Sequence, residues 1–243
     1  MTARRAVLVT GGARRLGAAL VRSCAARGWD VALHHGHSPS EAGALAASLQ
    51  HETGAAVVPL QADLAHPEAA ARLVEDAVRA LGRLDAVVSS AAVLHPVPLD
   101  QVTPAHWDAT HAVNLRAPFF LMQAAARHLQ IGGCIVQVTD HLAFENGWPA
   151  LVPHATSKAG VTQLVRAMAA ALAPRIRVNA VAPGLVLPPD GWTPEDSVRF
   201  RRHVPLDAEG TPDDVVEAVH YLLGARYVTG AVLPVDGGRH LLR

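Results

Sequence analysis

The sequence predicts an α/β fold: one doubly wound domain whose parallel sheet has about seven strands, with helices on both faces. Three observations predict it. Short Val/Leu/Ala runs alternate with longer helical patterns from one end of the chain to the other. These runs are nearly continuous in apolar residues, as strands become when helices cover both faces of a parallel sheet. No Ser/Gly linker, charge block or repeat divides the 243 residues, a length that suits a single large domain. Such alternation implies right-handed crossovers between parallel strands.

In chain order the predicted strands are 5–10 (RAVLVT), 30–35 (DVALHH), 55–61 (AAVVPLQ), 84–89 (LDAVVS), 133–139 (GCIVQVT), 175–182 (RIRVNAVA) and 231–235 (AVLPV). The stretches between them give helices near 15–28, 39–53, 67–82, 104–129, 152–173, 194–203 and 212–224. Half of the chain is hydrophobic and 17% is charged, below the roughly 25% of an average globular protein. A large core follows, with surface to spare for contacts between subunits. The net charge is zero, so no basic field draws nucleic acid or anionic lipid. Cys24 and Cys134 are too few for a disulfide framework, which points to a reduced, cytoplasmic setting. No signal peptide is expected before a strand that starts at residue 5. No apolar run reaches the roughly 18–20 residues that span a bilayer, and no metal-ligand set is read.

The first turn carries the chemistry of cofactor binding. Thr10-Gly11-Gly12-Ala13-Arg14-Arg15-Leu16-Gly17 follows the first strand and opens a helix. Glycines there let the backbone approach a pyrophosphate, and the helix N-terminus supplies N–H donors and the positive end of a dipole. With Asp63 placed two strands later, this predicts a Rossmann-type dinucleotide site. Arg15 stands where the middle glycine of Gly-x-x-x-Gly-x-Gly is expected and adds a cation at the mouth of the phosphate site. The end of the second strand reads Leu33-His34-His35-Gly36-His37-Ser38 and has no acid. An NAD site usually puts Asp or Glu there for the ribose 2′-hydroxyl. Arg14, His34, His37 and Ser38 instead favour the 2′-phosphate of NADP.

Together these elements resemble the short-chain dehydrogenase/reductase family over essentially the whole chain. The resemblance rests on residues 10–17, on Asp63-Leu64, on Asn114 within Val-Asn-Leu-Arg and on Lys158. It continues through Arg177-Val178-Asn179-Ala180-Val181-Ala182-Pro183-Gly184 and Val-Asp-Gly-Gly at 235–238. The branch it looks most similar to is the pteridine reductases of the bacterial dihydromonapterin reductase type. Four features carry that likeness: Gly-Gly-Ala-Arg-Arg-Leu-Gly, the His-rich strand end, Thr139-Asp140 in place of a serine pair, and the ending Asp-Gly-Gly-Arg-His-Leu.

The resemblance implies an NADPH-dependent oxidoreductase that reduces a C=N bond of a reduced pterin (dihydromonapterin or dihydrobiopterin) or of dihydrofolate. It implies that Asp63 and Leu64 lie beside the adenine, that Pro183 and Gly184 flank the nicotinamide, and that Ser90 and Ala91 let the cofactor pass close. It also implies a homo-oligomer, a tetramer or dimer, built on the 104–129 and 152–173 helices.

One departure bears on the reaction. Residues 154–158 read His-Ala-Thr-Ser-Lys where Tyr-x-x-x-Lys is expected. A Tyr and a Lys at that spacing share one helix face, and the cation makes the phenol a usable acid. With the phenol absent, Asp140 becomes the candidate proton donor, its carboxyl pKa expected to be raised by burial. Lys158 would hold the nicotinamide ribose, Asn114 would serve a proton relay, and His154 would contact substrate or pass on a proton. Arg15 would meet the pterin or the phosphates, and Trp148 and Trp192 would stack on a flat ring near the 185–203 lid. Two other readings stay open: a catalytically silent NADP-binding protein, and a reductase of an unrelated carbonyl substrate with His154 as its acid.

Overall fold

The computed structural model describes residues 4–145, 148–188 and 191–242. Seven parallel strands form one sheet in the order β3-β2-β1-β4-β5-β6-β7. They are β1 (Arg5–Thr10), β2 (Trp29–His35), β3 (Val57–Gln61), β4 (Ala86–Ser89), β5 (Gly133–Val138), β6 (Ile176–Pro183) and β7 (Val232–Val235). The order reverses direction between β1 and β4, the place where open α/β sheets bind their ligands. Helices α1 (Arg15–Ala26), α2 (Pro39–Thr53) and α8 (Pro212–Gly224) pack on one face around Val7, Val9, Val31 and Leu33. Helices α3 (Ala69–Leu81), α5 (Ala117–His128) and α6 (Val152–Leu172) cover the other around Leu8, Val87, Ile135 and Val178. Alternation along a strand sends Val7 and Val9 one way and Leu8 the other. All three are fully buried, each contributing about 1.5–3 kcal/mol by removal from water.

Strand and helix positions match the sequence-based expectation within one or two residues at most ends. The 104–129 helix is the exception, because it divides. α4 (Pro104–His111) passes into a π-helical segment, Ala112–Arg116, before α5 begins. Pro118 has no N–H to donate to the carbonyl four residues back, which is that of Asn114. Asn114 therefore lies in the widened turn, a feature that recurs at functional sites. β5 also stops one residue early, at Val138, which leaves Thr139 outside the sheet.

Two polar ties fix the sheet's far edge. Arg177 donates to the Leu222 and Leu223 carbonyls at the end of α8. Asn179 bridges the Val228 carbonyl and the Ala231 N–H just before β7. Both residues belong to the motif read at 177–184, and both serve packing. Among the described residues, no helix is long and apolar enough to cross a membrane.

Candidate active site

The turn after β1 is shaped for a close-lying ligand. Gly11 has φ +67°, and a Cβ on it would fall 2.9 Å from the Ala91 Cα. A Cβ on Gly17 would fall 1.9 Å from the Gly11 carbonyl oxygen, so the turn closes only around a bare glycine. Arg15 takes the middle-glycine position at φ +53°, a left-handed conformation that costs a non-glycine residue roughly 1–2 kcal/mol. The α1 N-cap, Arg14, makes no side-chain capping bond, and the first turn holds no acid. Its leading N–H groups and dipole end are thus left for an anion. Leu16 packs against the core behind the turn.

Thr10 ties this turn to the next loop, a role the sequence reading missed. Its buried hydroxyl accepts from the backbone N–H groups of Ser90 and Ala91 at 3.0 and 3.1 Å. That bond holds the two loops at the separation the cofactor would cross.

The end of β2 corrects one assignment. His34 is not presented to a phosphate. Its Nδ1 accepts from the Gly11 N–H at 3.0 Å, and its Nε2 lies 3.0 Å from the Ala62 carbonyl, to which it donates. Burial drives its pKa down to about 4, against the Ala62 bond that raises it. His34 is a neutral strut joining β2, the nucleotide turn and the segment after β3. By strand alternation His35 faces the α1/α2 side, and its Nδ1 is buried with no hydrogen-bond partner among the described residues. Arg14 and His37 are exposed, and Ser38, the α2 N-cap, is buried.

Asp63 is exposed and accepts from the Ala65 N–H, with His66 3.5 Å away, while Leu64 is buried under α3. Gly184 lies against Asp236, where a Cβ would meet its Cα at 2.8 Å, and Pro183 ends β6 beside Val235.

At the other end of the cleft, Thr139 pins α6 to β5 through the Lys158 carbonyl and Thr162. The chain then turns so that Asp140 caps a short 3-10 turn, accepting from the Leu142 N–H at 2.9 Å. His154 and Lys158, one turn apart on α6, face it. Lys158 is buried and donates to the Val138 carbonyl at 3.2 Å, leaving two of its three donors for ribose hydroxyls. Burial lowers its pKa, opposed by the charge of Asp140.

His154 lies deep, 4% exposed. Its Nε2 is 3.3 Å from Asp140 Oδ2, and its Nδ1 is 3.1 Å from the Val93 carbonyl and 3.3 Å from the Asn114 amide. Asn114 in turn clasps the backbone of Val93 from both sides, accepting its N–H and donating to its carbonyl. Three acceptors (the Val93 carbonyl, the Ser157 hydroxyl and His154 Nδ1) face the two hydrogens of the Asn114 amide. A proton on Nδ1 removes that conflict, since the ring then donates to Val93. Nε2 faces an oxygen of Asp140, which as a carboxylate can only accept.

This corrects the expectation for Asp140. Burial does push its carboxyl pKa up, but the His154 bond and the charges of His141, Lys158 and His154 together outweigh it and the net direction is down. The carboxylate is held as an anion. Arg15 and the tryptophans also differ from expectation. The Arg15 guanidinium reaches over the cleft to the Leu187 and Pro188 carbonyls at 3.0 Å each, tying the nucleotide turn to the lid. Trp148 donates to Glu145, and Trp192 packs on Phe200 at 6.1 Å. Lid residues 189–190 lie outside the described residues.

The family model described as enoyl-(acyl carrier protein) reductase matches residues 11–240. Versicolorin reductase 1 of Aspergillus parasiticus is 33% identical over 96% of this chain and 95% of its own. The chain belongs to the short-chain dehydrogenase/reductase family. Another member, an L-rhamnose 1-dehydrogenase (NAD(P)(+)) of Azotobacter vinelandii, is 36% identical over 96% of each chain. The crystal structure of a short chain dehydrogenase from Burkholderia cenocepacia in complex with NADP superposes with a TM-score of 0.91. It is 36% identical and covers 98% of each chain. Membership of the family is thus shown, and with it a nicotinamide-dependent oxidoreductase. The narrower likeness to pteridine reductases is not shown by these relatives, which are named as a versicolorin reductase and an L-rhamnose 1-dehydrogenase.

Proposed function

We propose that this protein is an NADPH-dependent reductase whose proton comes from the Asp140–His154 pair in place of the family's tyrosine. The observation that carries this is the 3.3 Å contact between His154 Nε2 and Asp140 Oδ2. Asp140 is the member a substrate can reach, its side chain 27% exposed against 5% for His154. Held by Lys158 and the glycine turn, a nicotinamide would supply hydride chemistry to the carbon of a C=O or C=N bond. A protonated His154 would pass its Nε2 proton to the Asp140 carboxylate, which hands it to the heteroatom, so that Asp140 ends as the anion it began as and the charge of His154 falls by one. Lys158 orients the ribose, and Asn114 fixes the Val93 carbonyl against the ring. The acid-free end of β2, with Arg14, His37 and Ser38, supports NADP over NAD, as does the NADP held by the Burkholderia relative.

For the substrate we infer a flat, reduced pterin as the first reading. An anionic Asp140 offers unused lone pairs to the amino and ring N–H groups of such a molecule. A carbonyl compound is the second reading, favoured by relatives named as a polyketide synthase ketoacyl reductase and an L-rhamnose 1-dehydrogenase.

The test is consumption of NADPH and of NADH with dihydromonapterin, dihydrobiopterin, dihydrofolate, aldoses and aromatic ketones, beside fluorescence titration of both cofactors. Turnover with NADPH that is lost in His154→Ala, with NADPH binding kept, is the expected outcome. Full turnover in that variant refutes the proton route. Binding without turnover on any substrate makes the protein a silent NADP-binding member of the family.

A further inference from the structure

Asp140 has a second imidazole beside it. His141 Nε2 lies 3.8 Å from Asp140 Oδ1, the oxygen that His154 does not touch. That spacing is an ion-pair distance longer than a direct hydrogen bond, so His141 acts on Asp140 through charge. The other ring nitrogen of His141 lies 2.8 Å from Glu145 Oε1. Because Glu145 is an acceptor only, it holds a proton on His141 Nδ1 and fixes the ring's orientation.

Glu145 is itself firmly placed. Arg239, from the C-terminal turn, bonds both its oxygens at 3.1 and 3.3 Å, and the Trp148 indole donates to it at 3.1 Å. The Arg239 guanidinium lies over the Phe200 ring at 4.8 Å, and the edge of His141 meets the same ring at 6.0 Å. His141, Glu145 and Arg239 have side chains only 9%, 7% and 13% exposed. Burial raises the Glu145 carboxyl, but its bonds to His141, Arg239 and Trp148 prevail and bring its pKa to about 2. The nearby Asp236 is occupied by His240 at 2.8 Å. Among the described residues, the titratable groups that act on Asp140 are thus His154 and Lys158 from α6 and His141 from its own turn. Glu145 and Arg239 stand behind His141.

A buried ion pair of this kind is weak grounds for extra stability, since desolvation consumes much of the attraction. Its placement one residue from the proton-delivering carboxylate gives it another use. We propose that His141, held by the Glu145–Arg239 pair, is a positioning residue that sets the proton affinity of the Asp140–His154 pair and so the pH range of the reduction. This deepens the proposed function and rests on it for the link to rate. A cation on His141 favours the Asp140 anion and thereby moves the shared proton toward His154. Taking it away leaves Asp140 facing the Glu145–Arg239 pair and holding its proton more tightly.

The experiment compares wild type with His141→Gln, whose amide keeps a donor for Glu145 but cannot take up a proton. The kcat/KM profile against pH is measured with NADPH, and the His154 ring is titrated by NMR in the protein without cofactor. An opposite charge at this range moves a carboxyl by about one pH unit or more. The alkaline limb of the reductive profile is therefore expected to move up by about one pH unit in His141→Gln. The His154 titration should change with it and should no longer respond to His141→Gln in an Asp140→Asn background. His141→Asn and Glu145→Gln repeat the measurement should the first variant fold poorly, and Glu145→Gln should add nothing once His141 is gone. Turnover with an unmoved limb overturns the inference and leaves the reductase reading intact. Should wild type turn over no substrate, the reductase reading fails and the NMR titration decides: a changed His154 curve supports the coupling, and an unchanged one refutes it.

Discussion

Asp140→Asn removes from the proposed acid pair both the charge and the oxygen that carries the proton, while the amide keeps the size of the side chain and can still accept from the Leu142 N–H. What it loses is the anion 3.3 Å from His154 Nε2. Two unit charges at that distance interact by about 5 kcal/mol at an effective dielectric of about 20, and much of this is returned by lost solvation. A hydrogen bond to a charged group contributes about 1.5–3 kcal/mol net. At 1.36 kcal/mol per tenfold, kcat should fall about 10- to 150-fold. NADPH affinity should hold within about twofold, since Lys158 and the glycine turn are untouched. Single-turnover NADPH oxidation with the best substrate of the panel, beside a fluorescence titration, measures both quantities. A folded variant with kcat within about threefold of wild type would refute the role of the charge.

Three further outcomes follow from the geometry. Gly17→Ala puts a Cβ 1.9 Å from the Gly11 carbonyl, so the turn must open, and NADPH binding should weaken by more than tenfold in a fluorescence titration. Thr10→Val leaves the Ser90 and Ala91 N–H groups without their shared acceptor. At about 1–3 kcal/mol for each polar group left unmet, urea unfolding should show a loss of about 2–6 kcal/mol. Glu145 has a folded pKa near 2, below its ordinary value of 4.5. Its stabilisation is therefore present above about pH 4.5 and is lost as pH falls toward 2. The shift corresponds to about 3 kcal/mol, and Glu145→Gln should flatten the fall in unfolding free energy over that window.

The sequence by itself determined the layers of this protein and the place of its ligand. Apolar runs without alternation identify strands covered on both sides, and the glycine turn after the first strand fixes where a pyrophosphate can lie. Both depend on residues near one another in the chain, so their physics is local. The lysine of the 154–158 segment was legible for the same reason, since four residues on a helix share a face.

What a side chain touches across the fold was decided only by the tertiary structure. His34 and His35 are adjacent and chemically identical, yet the pleat turns one into a strut for Gly11 and buries a nitrogen of the other with no hydrogen-bond partner among the described residues. The split of the 104–129 helix was written in Pro118, but its consequence for Asn114 required Val93 to lie opposite. The state of Asp140 was the least legible of all. Burial alone predicts a raised pKa, and only the fold brings His154, His141 and Lys158 around the carboxylate to reverse the sign. Arg239 is 94 residues from its partner Glu145, a separation that no local pattern encodes.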